Sequence, residues 1–143
     1  MLKAHFTFVF GCTGVSAEIA ASAMQSVAAD AGPIDFCLSQ AVRSQHDAFH
    51  HVFLCPDKGR NEMRELHRQL HSGPLAPCLD PGRPFTPHLT ICKSADPEHA
   101  RVVSDQLQRN PIHMNGRIRT LSLGVLEEGT FKVLEQAALR GGV

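Results

Sequence analysis

Apolar and polar residues alternate in two short stretches of the chain that share one pattern. The stretches are HFTF (His5–Phe8) and HLTI (His88–Ile91). In an extended strand successive side chains point to opposite faces, so the histidine and threonine of each stretch share one face. The pattern predicts two strands, Ala4–Phe10 and Phe85–Cys92, each with apolar residues on a core and one imidazole and one hydroxyl on its polar side.

Three other segments carry apolar residues at helical spacing, with capping residues at the start or Gly-Pro at the end. The predicted helices run from about Ser16 to Ala31, from about Lys58 to Ser72, and from Asp96-Pro97 to about Arg109. Ser16 and Asp96 are the predicted N-caps, and Gly32-Pro33 and Gly73-Pro74 the predicted stops. The predicted buried residues are Ile19, Ala23 and Val27 in the first helix and Met63, Leu66 and Leu70 in the second.

Four further strands are predicted from β-branched and apolar runs bounded by turn residues. They are Ile34–Val42 and Ala48–Leu54, joined by the polar segment RSQHD, and Gly116–Leu126 and Thr130–Leu139, separated by Glu128-Gly129. Both halves of the chain then follow the order strand, helix, strand, strand, with an extra helix between them. This order predicts a single α+β domain over residues 1–143, in which two duplicated βαββ units form two antiparallel sheets around a central cleft with helices outside.

Composition narrows the function further. Lysine plus arginine equals aspartate plus glutamate at 14 each, which argues against a broad surface for duplex nucleic acid. No targeting segment or membrane-length apolar run is evident. The five cysteines include no CxxC pair, and Cys37, Cys55 and Cys92 lie in apolar runs, which favours reduced thiols in the cytoplasm over disulfides or a zinc site.

The two HxTx stretches, about 80 residues apart and the second within PFTPHLTICK (Pro84–Lys93), resemble the two-histidine (2H) phosphoesterase superfamily, in particular its 2′,5′ RNA ligase-like branch. The resemblance covers nearly the whole chain. One HxT is common by chance, but two in matching strands of two similar halves are not. Two features depart from the pattern: His5 lies very near the N-terminus, and no tyrosine or tryptophan is present to stack on a base.

The resemblance implies a bilobal fold whose motifs face each other across a groove, and a metal-independent reaction on phosphodiesters without a cofactor. His5 and His88 would be the catalytic acid and base, with His5 assigned as proton donor and His88 as acceptor by analogy. Thr7 and Thr90 would bind phosphate oxygens. Lys93 matches a basic residue that relatives often carry after the second motif.

These residue types suit that chemistry. Opening a cyclic phosphate with water requires a base for the water proton and an acid for the departing ribose oxygen. Imidazole, with an ordinary pKa of about 6.5, can play either part near neutral pH. Hydroxyl donors on rigid strands can stabilise the charge on the non-bridging oxygens. Arg83 and Phe85 flank the second motif and could contact a phosphate and a base. Each candidate also has a structural alternative: a solvated strand end for Lys93, a loop cation for Arg83 and a core residue for Phe85.

The other histidines do not form a metal-binding pattern. His67 and His71 are four residues apart on a predicted helix, but the HExxH glutamate and a third ligand are missing, which favours a semi-buried pair. His50 and His51 are adjacent on a predicted strand, face opposite ways, and cannot chelate one ion together.

The predicted function is therefore a metal-independent hydrolase of 2′,3′-cyclic phosphates on small nucleotides or RNA ends, acting as a cytoplasmic monomer without duplex nucleic acid or membrane partners. Three alternatives stay open. One is 2′,5′ RNA ligase activity, since the residues do not distinguish the two directions. The others are a binding module for a nucleotide or RNA end, which would not need two titrating groups, and a histidine-rich metal-binding protein.

Overall fold

The computed structural model describes residues 3–141, which form three α-helices and six strands. This confirms the predicted α+β class with antiparallel sheets. In chain order the elements are α1 (Ala17–Asp30), β1 (Ile34–His46), β2 (Phe49–Lys58), α2 (Arg60–Leu70), a short 3-10 helix (Ala76–Cys78), β3 (Leu89–Ser94), α3 (Pro97–Arg109), β4 (Met114–Ile118), β5 (Thr120–Glu127) and β6 (Thr130–Ala138).

The helix starts predicted from capping residues are confirmed. The Ser16 hydroxyl accepts a hydrogen bond from the backbone amide of Ile19 at 3.2 Å, and the Asp96 carboxylate accepts one from the amide of Glu98 at 2.9 Å. Each bond satisfies an amide that has no partner within the first helical turn. Local sequence therefore determines where α1 and α3 begin.

The larger sheet has the strand order β3-β2-β1-β4, with all neighbours antiparallel. Helix α3 packs against one of its faces, where Val52, Cys92 and Ala100 form a buried cluster. Strands β1 and β2 are longer than predicted, because the RSQHD segment is mostly strand and the chain reverses only at Asp47, which has a positive φ of 56°. The face of this sheet that is turned away from α3 therefore extends along β1 and β2 as far as the turn at Asp47.

The predicted strand Gly116–Leu126 is two strands that belong to different sheets. Strand β4 pairs with β1, whereas β5 pairs with β6 in a separate two-stranded sheet against which α1 packs. Strands from both halves of the chain thus share the larger sheet. The main core lies among α1, α2, the start of β1 and the smaller sheet, and includes Met24, Met63, Leu66 and Leu121.

Two predictions about helix packing had different outcomes. The buried residues of α2 are the predicted Met63, Leu66 and Leu70. In α1, Ala23 is buried as predicted, but Ile19 is 49% exposed and the other buried residues are Met24 and Ala28. The alanine-rich sequence has little amphipathic contrast, so several rotations of the helix would bury similar apolar surface.

The strand predicted at Ala4–Phe10 is wrong. These residues have no regular secondary structure, although Phe8 is buried in the main core. Alternation of apolar residues shows that one side of a segment can be buried, but a strand also requires a neighbour that accepts its backbone hydrogen bonds. The second predicted motif strand begins later than predicted, at Leu89 rather than Phe85.

A β-bulge interrupts β3. Thr90 pairs with Phe53 and Cys92 pairs with Val52, so Ile91 is an extra residue on β3. The prediction that Ile91 faces the core is wrong: it is 39% exposed, while Cys92 is buried. A bulge reverses the alternation of side chains beyond it. Lys93, which strict alternation would separate from Thr90, consequently lies on the same face of the sheet.

The expectation of reduced thiols throughout is also wrong. Cys12 and Cys78 form a disulfide across 66 positions of sequence, whereas Cys37, Cys55 and Cys92 are free. Cys12 lies just after the first motif, and Cys78 lies shortly before the second. Among residues 3–141, no helix has both the length and the apolar character needed to cross a membrane.

Candidate active site

The imidazole of His88 is held at the entrance to β3 by two contacts. Its Nδ1 bonds to the backbone carbonyl oxygen of Thr86 at 2.7 Å. Its ring lies 4.0 Å, centroid to centroid, from the ring of Phe53 on β2. Since a carbonyl can only accept, Nδ1 carries the proton, and Nε2 is the nitrogen left with a free lone pair.

His5 makes the same local bond. Its Nδ1 donates to the carbonyl oxygen of Lys3 at 2.8 Å, again two residues earlier in the chain. The ring is exposed and the backbone around it is irregular. Both motif histidines therefore have the same tautomer, with Nε2 available to an incoming group, although only His88 adjoins a strand.

Three side-chain contacts align the segment after His5 with the segment before His88. Phe8 contacts Phe85, with ring centroids 5.9 Å apart, and the guanidinium of Arg83 lies 5.4 Å from the ring centroid of Phe10. The Cys12–Cys78 disulfide is the third. The two ring contacts are antiparallel in order: two residues forward on the first segment correspond to two residues back on the second. The disulfide departs from this register, because Cys78 lies five residues before Arg83.

The other predicted site residues lie on one face of the larger sheet or in the first motif. Thr90 and Lys93 are exposed and lie on the face opposite α3, beside Phe53 and His51 respectively. The ammonium of Lys93 is 4.4 Å from the ring centroid of Phe49. Thr7 is half-buried in the irregular first segment. The structure thus groups His88, Thr90 and Lys93. The contacts described for His5 are local, and its segment approaches the second motif through Phe8 and Phe10.

The aromatic and histidine side chains that share this face were not predicted from the sequence. Phe49, His51 and Phe53 are every second residue of β2, so they point to the same face as Thr90 and Lys93. His46 of β1 lies beside Phe49 in the register of the hairpin. The period-two spacing of these residues was visible in the sequence, but the face they occupy depends on the position of the turn and on the bulge. We refer to His46, Phe49, His51, Phe53, Thr90 and Lys93 as the open sheet face.

Burial and neighbouring charges both act on His51 in this face. The pKa of His51 is lowered, first by burial and then by the charges of Lys93, His46 and His88, with Asp47 acting in the opposite sense. Its Nδ1 is buried and has no hydrogen-bond partner. Such an atom usually costs free energy, on the order of 1–3 kcal/mol.

The remaining histidine pair has a structural role. His67 stacks on Phe85, with centroids 4.0 Å apart, and burial is the main cause of the lowered pKa of His67. His71 is buried and donates from Nδ1 to the carbonyl oxygen of His67 at 2.7 Å. No group of three or more metal-ligating side chains occurs among residues 3–141. Phe85 thus packs against the core rather than facing open solvent.

Two surface concavities lie away from both motifs. One, at the end of the β5–β6 hairpin, is lined by Glu127, Glu128, Thr130, Phe131 and Lys132. The other lies between α1 and β6. Neither contains a residue with the paired acid-base chemistry of the motifs, so we place the candidate site by its side chains rather than by surface shape.

Comparison with known proteins shows the family and the fold. The model of the 2′-5′ RNA ligase superfamily matches residues 2–130, which include both motifs. A solved structure described as a phosphoesterase superposes with a TM-score of 0.66 at 21% identity, covering 95% of this chain and 76% of that chain. At that identity the likeness shows a shared fold. No curated protein matches the chain.

Proposed function

Since the chain belongs to the 2′-5′ RNA ligase superfamily, we propose that it hydrolyses 2′,3′-cyclic phosphates on small nucleotides or RNA ends, with His5 and His88 as acid and base. The observation that carries the proposal is the shared hydrogen bond of the two histidines. In each, Nδ1–H donates to the carbonyl oxygen two residues earlier, which fixes the ring and presents Nε2. Two structural histidines have no reason to share this arrangement.

The antiparallel alignment supports a common site. Phe8 is opposite Phe85 and Phe10 is near Arg83. We infer from the register of these two contacts that His5 lies opposite His88. The phosphate would bind between the two imidazoles.

The reaction then balances without a covalent intermediate. His88 Nε2 takes a proton from water, and the water oxygen forms a bond to phosphorus. The bond from phosphorus to one ribose oxygen breaks, and His5, which enters the step as an imidazolium, gives that oxygen its Nε2 proton. The product is a phosphomonoester beside a free hydroxyl. Proton exchange with solvent returns both imidazoles to their starting states.

The threonines stabilise the charge that develops in this step. Negative charge increases on the non-bridging oxygens of the five-coordinate phosphate, and fixed hydroxyl donors stabilise it with little reorganisation. Thr90 is two residues after His88, and Thr7 is two residues after His5. Lys93 reaches the site face because of the bulge at Ile91.

Joining RNA ends through a 2′,5′ bond is the second candidate, favoured by the match to the ligase superfamily. The same groups would act with a 5′-hydroxyl in place of water. A screen separates the two activities: 2′,3′-cyclic nucleotides, RNA with a cyclic phosphate end, and 2′,5′-linked dinucleotides are incubated with the protein in the presence of a chelator. We expect a phosphomonoester product.

The product and its dependence on the histidines decide between the candidates. Formation of 2′,5′-linked RNA from a cyclic-phosphate end and a 5′-hydroxyl end would replace hydrolysis with ligation. Tight binding without any product would instead indicate a sensor of nucleotide or RNA ends. Activity that is lost with the chelator and restored by a metal would overturn the metal-independent mechanism.

A further inference from the structure

Two cationic side chains, Lys93 and Arg83, lie on or beside the open sheet face. Lys93 and His51 lie side by side across β2 and β3, and Arg83 donates to Nε2 of His46 at 2.9 Å. His46 Nε2 also lies 3.4 Å from Asp47, but a nitrogen that accepts from Arg83 cannot donate to a carboxylate, and we favour the shorter contact. The chain as a whole has no net charge, so these cations are concentrated locally.

His51 has the properties of a group that lacks its ligand. Its Nδ1 is buried without a partner, and its pKa is lowered first by burial and then by the charge of Lys93, which lies opposite it on β3. An anion placed between His51 and Lys93 would accept from both side chains and offset this repulsion. Phosphate supplies several acceptor oxygens at once.

The spacing fits a second phosphate of the same nucleic-acid chain. Phe53 lies between the two imidazoles, with its ring 4.0 Å from His88 and 5.4 Å from His51. From Phe53 to His51 is one two-residue strand repeat, about 7 Å. Thr90 pairs with Phe53 and Lys93 pairs with His51, so the two phosphate positions are separated by the same repeat. This distance is comparable to that between consecutive phosphates in an extended strand.

We propose that His51 and Lys93 form a second phosphate site, which binds the phosphate on the 5′ side of the nucleotide whose cyclic phosphate lies at His88. The substrate class is then an RNA end, or a nucleotide that carries a 5′-phosphate, rather than a simple cyclic mononucleoside phosphate. This proposal rests on the proposed function, because it locates the reacting phosphate at the motif histidines.

Three substrates test the proposal: a nucleoside 2′,3′-cyclic phosphate with a 5′-hydroxyl, the same molecule with a 5′-phosphate, and a dinucleotide that ends in the cyclic phosphate. The second and third share the extra phosphate. We expect kcat/KM to be about tenfold higher or more for both of them than for the first, as a charged hydrogen bond implies.

Two variants remove the second site and two matched variants leave it intact. His51→Phe keeps a ring and removes the unpartnered nitrogen, so the fold should remain stable by thermal unfolding, and Lys93→Met keeps the length of the side chain. Both should lower the preference for the extra phosphate toward one. His50→Phe, on the opposite face of β2, and Lys58→Met, at the other end of β2, should retain the preference.

Equal kcat/KM for all three substrates would overturn the second site. A preference for the dinucleotide that the 5′-phosphate alone does not reproduce would also overturn it, because the protein would then recognise the neighbouring nucleoside.

A binding measurement keeps the test independent of turnover. The dinucleotide with a 3′-phosphate end is titrated at several salt concentrations, and Lys93→Met should reduce the slope of log Kd against log salt by about 0.7, the contribution of one phosphate contact in a single strand. If no substrate turns over but this slope changes, the hydrolase proposal fails and the second site stands. An unchanged slope would refute the second site.

Discussion

The two motif segments have the same local geometry and different support. Each histidine donates from Nδ1 to the carbonyl oxygen two residues earlier. The second segment continues into β3, which is hydrogen-bonded to β2. The first lies outside both sheets, and its described contacts to the second segment are Phe8–Phe85, Phe10–Arg83 and the disulfide.

This difference separates the orientation of an imidazole from its placement. The orientation comes from a bond within three residues of the motif, so it is encoded locally. The placement of His5 depends on residues distant in sequence: Phe6 packs on Phe36, with ring centroids 5.1 Å apart, and the disulfide spans 66 positions. We therefore expect the two half-sites to be equivalent in chemistry but to differ in how firmly the fold holds them.

The largest expected effect is on the two histidines. His5→Ala and His88→Ala should each lower turnover of a cyclic phosphate by roughly a hundredfold to ten-thousandfold. The double variant should lose little more than either single variant, because an acid or a base alone cannot complete the proton transfers. Near-normal turnover in His5→Ala would show that the irregular first segment takes no part in catalysis.

A substrate with a nitrophenolate leaving group distinguishes the two roles. That group departs without protonation, so loss of the acid should be partly rescued and loss of the base should not. We expect rescue of His5→Ala. Rescue of His88→Ala alone would exchange the two assignments.

The next largest effect concerns the hydroxyls. Thr7→Val and Thr90→Val keep the branched shape, so thermal unfolding should change little, while turnover should fall by roughly tenfold to a thousandfold. Ser122→Ala on β5 is a suitable control, since this hydroxyl accepts from Gln136 in the smaller sheet. Full turnover in either valine variant would remove that threonine from the mechanism.

Loss of the disulfide should affect the first segment more than the second. Cys12→Ser should cost stability on the order of 4 kcal/mol if chain entropy alone acts on a loop of this size. Turnover of the protein that remains folded should fall severalfold through a higher KM, because the disulfide no longer ties the first motif segment to the second. Denaturant titration and steady-state kinetics measure the two effects.

The controls for the disulfide are Cys37→Ser, a free cysteine, and Cys12→Ser with Cys78→Ser together. The double variant should match Cys12→Ser. If the oxidised and reduced proteins had the same KM, the first segment would be placed by its phenylalanines alone.

The smallest expected effect is a pH dependence of stability from His67. Burial lowers the pKa of this histidine, so the unfolded chain binds a proton more readily than the folded protein. Stability should be constant well above pH 6.5, decrease as pH falls through that value, and level off below the lowered folded pKa. His67→Phe should show a smaller decrease in melting temperature between pH 7 and 5, and an equal decrease would exclude His67 as the cause.

Features set by neighbouring residues were predicted well from the sequence, whereas features set by pairing between distant segments were not. The Ser16 and Asp96 caps and the buried residues of α2 follow from residues within one or two turns. The strand predicted at Ala4–Phe10 required a partner strand that sequence periodicity cannot show. The extra residue at Ile91 was equally invisible, because a bulge is defined only against its neighbour.

The candidate site was predictable to a similar extent. The motif histidines and threonines were named from their repeated pattern, and their roles remain predictions. His51, Phe53 and Phe49 were missed because their common face is set by pairing between β1, β2 and β3. The Cys12–Cys78 bond was missed because two isolated cysteines carry no information about distance in space.

The disulfide also has a consequence for the chain as a polymer. It closes a covalent ring that contains α1, β1, β2 and α2. His5 is seven positions before Cys12 and His88 ten positions after Cys78. Both imidazoles therefore sit on short tethers that leave one junction, with maximal reaches of about 25 and 35 Å. Short tethers hold two groups at an effective concentration in the millimolar range, so the two half-sites stay within reach of each other even when the first segment moves away.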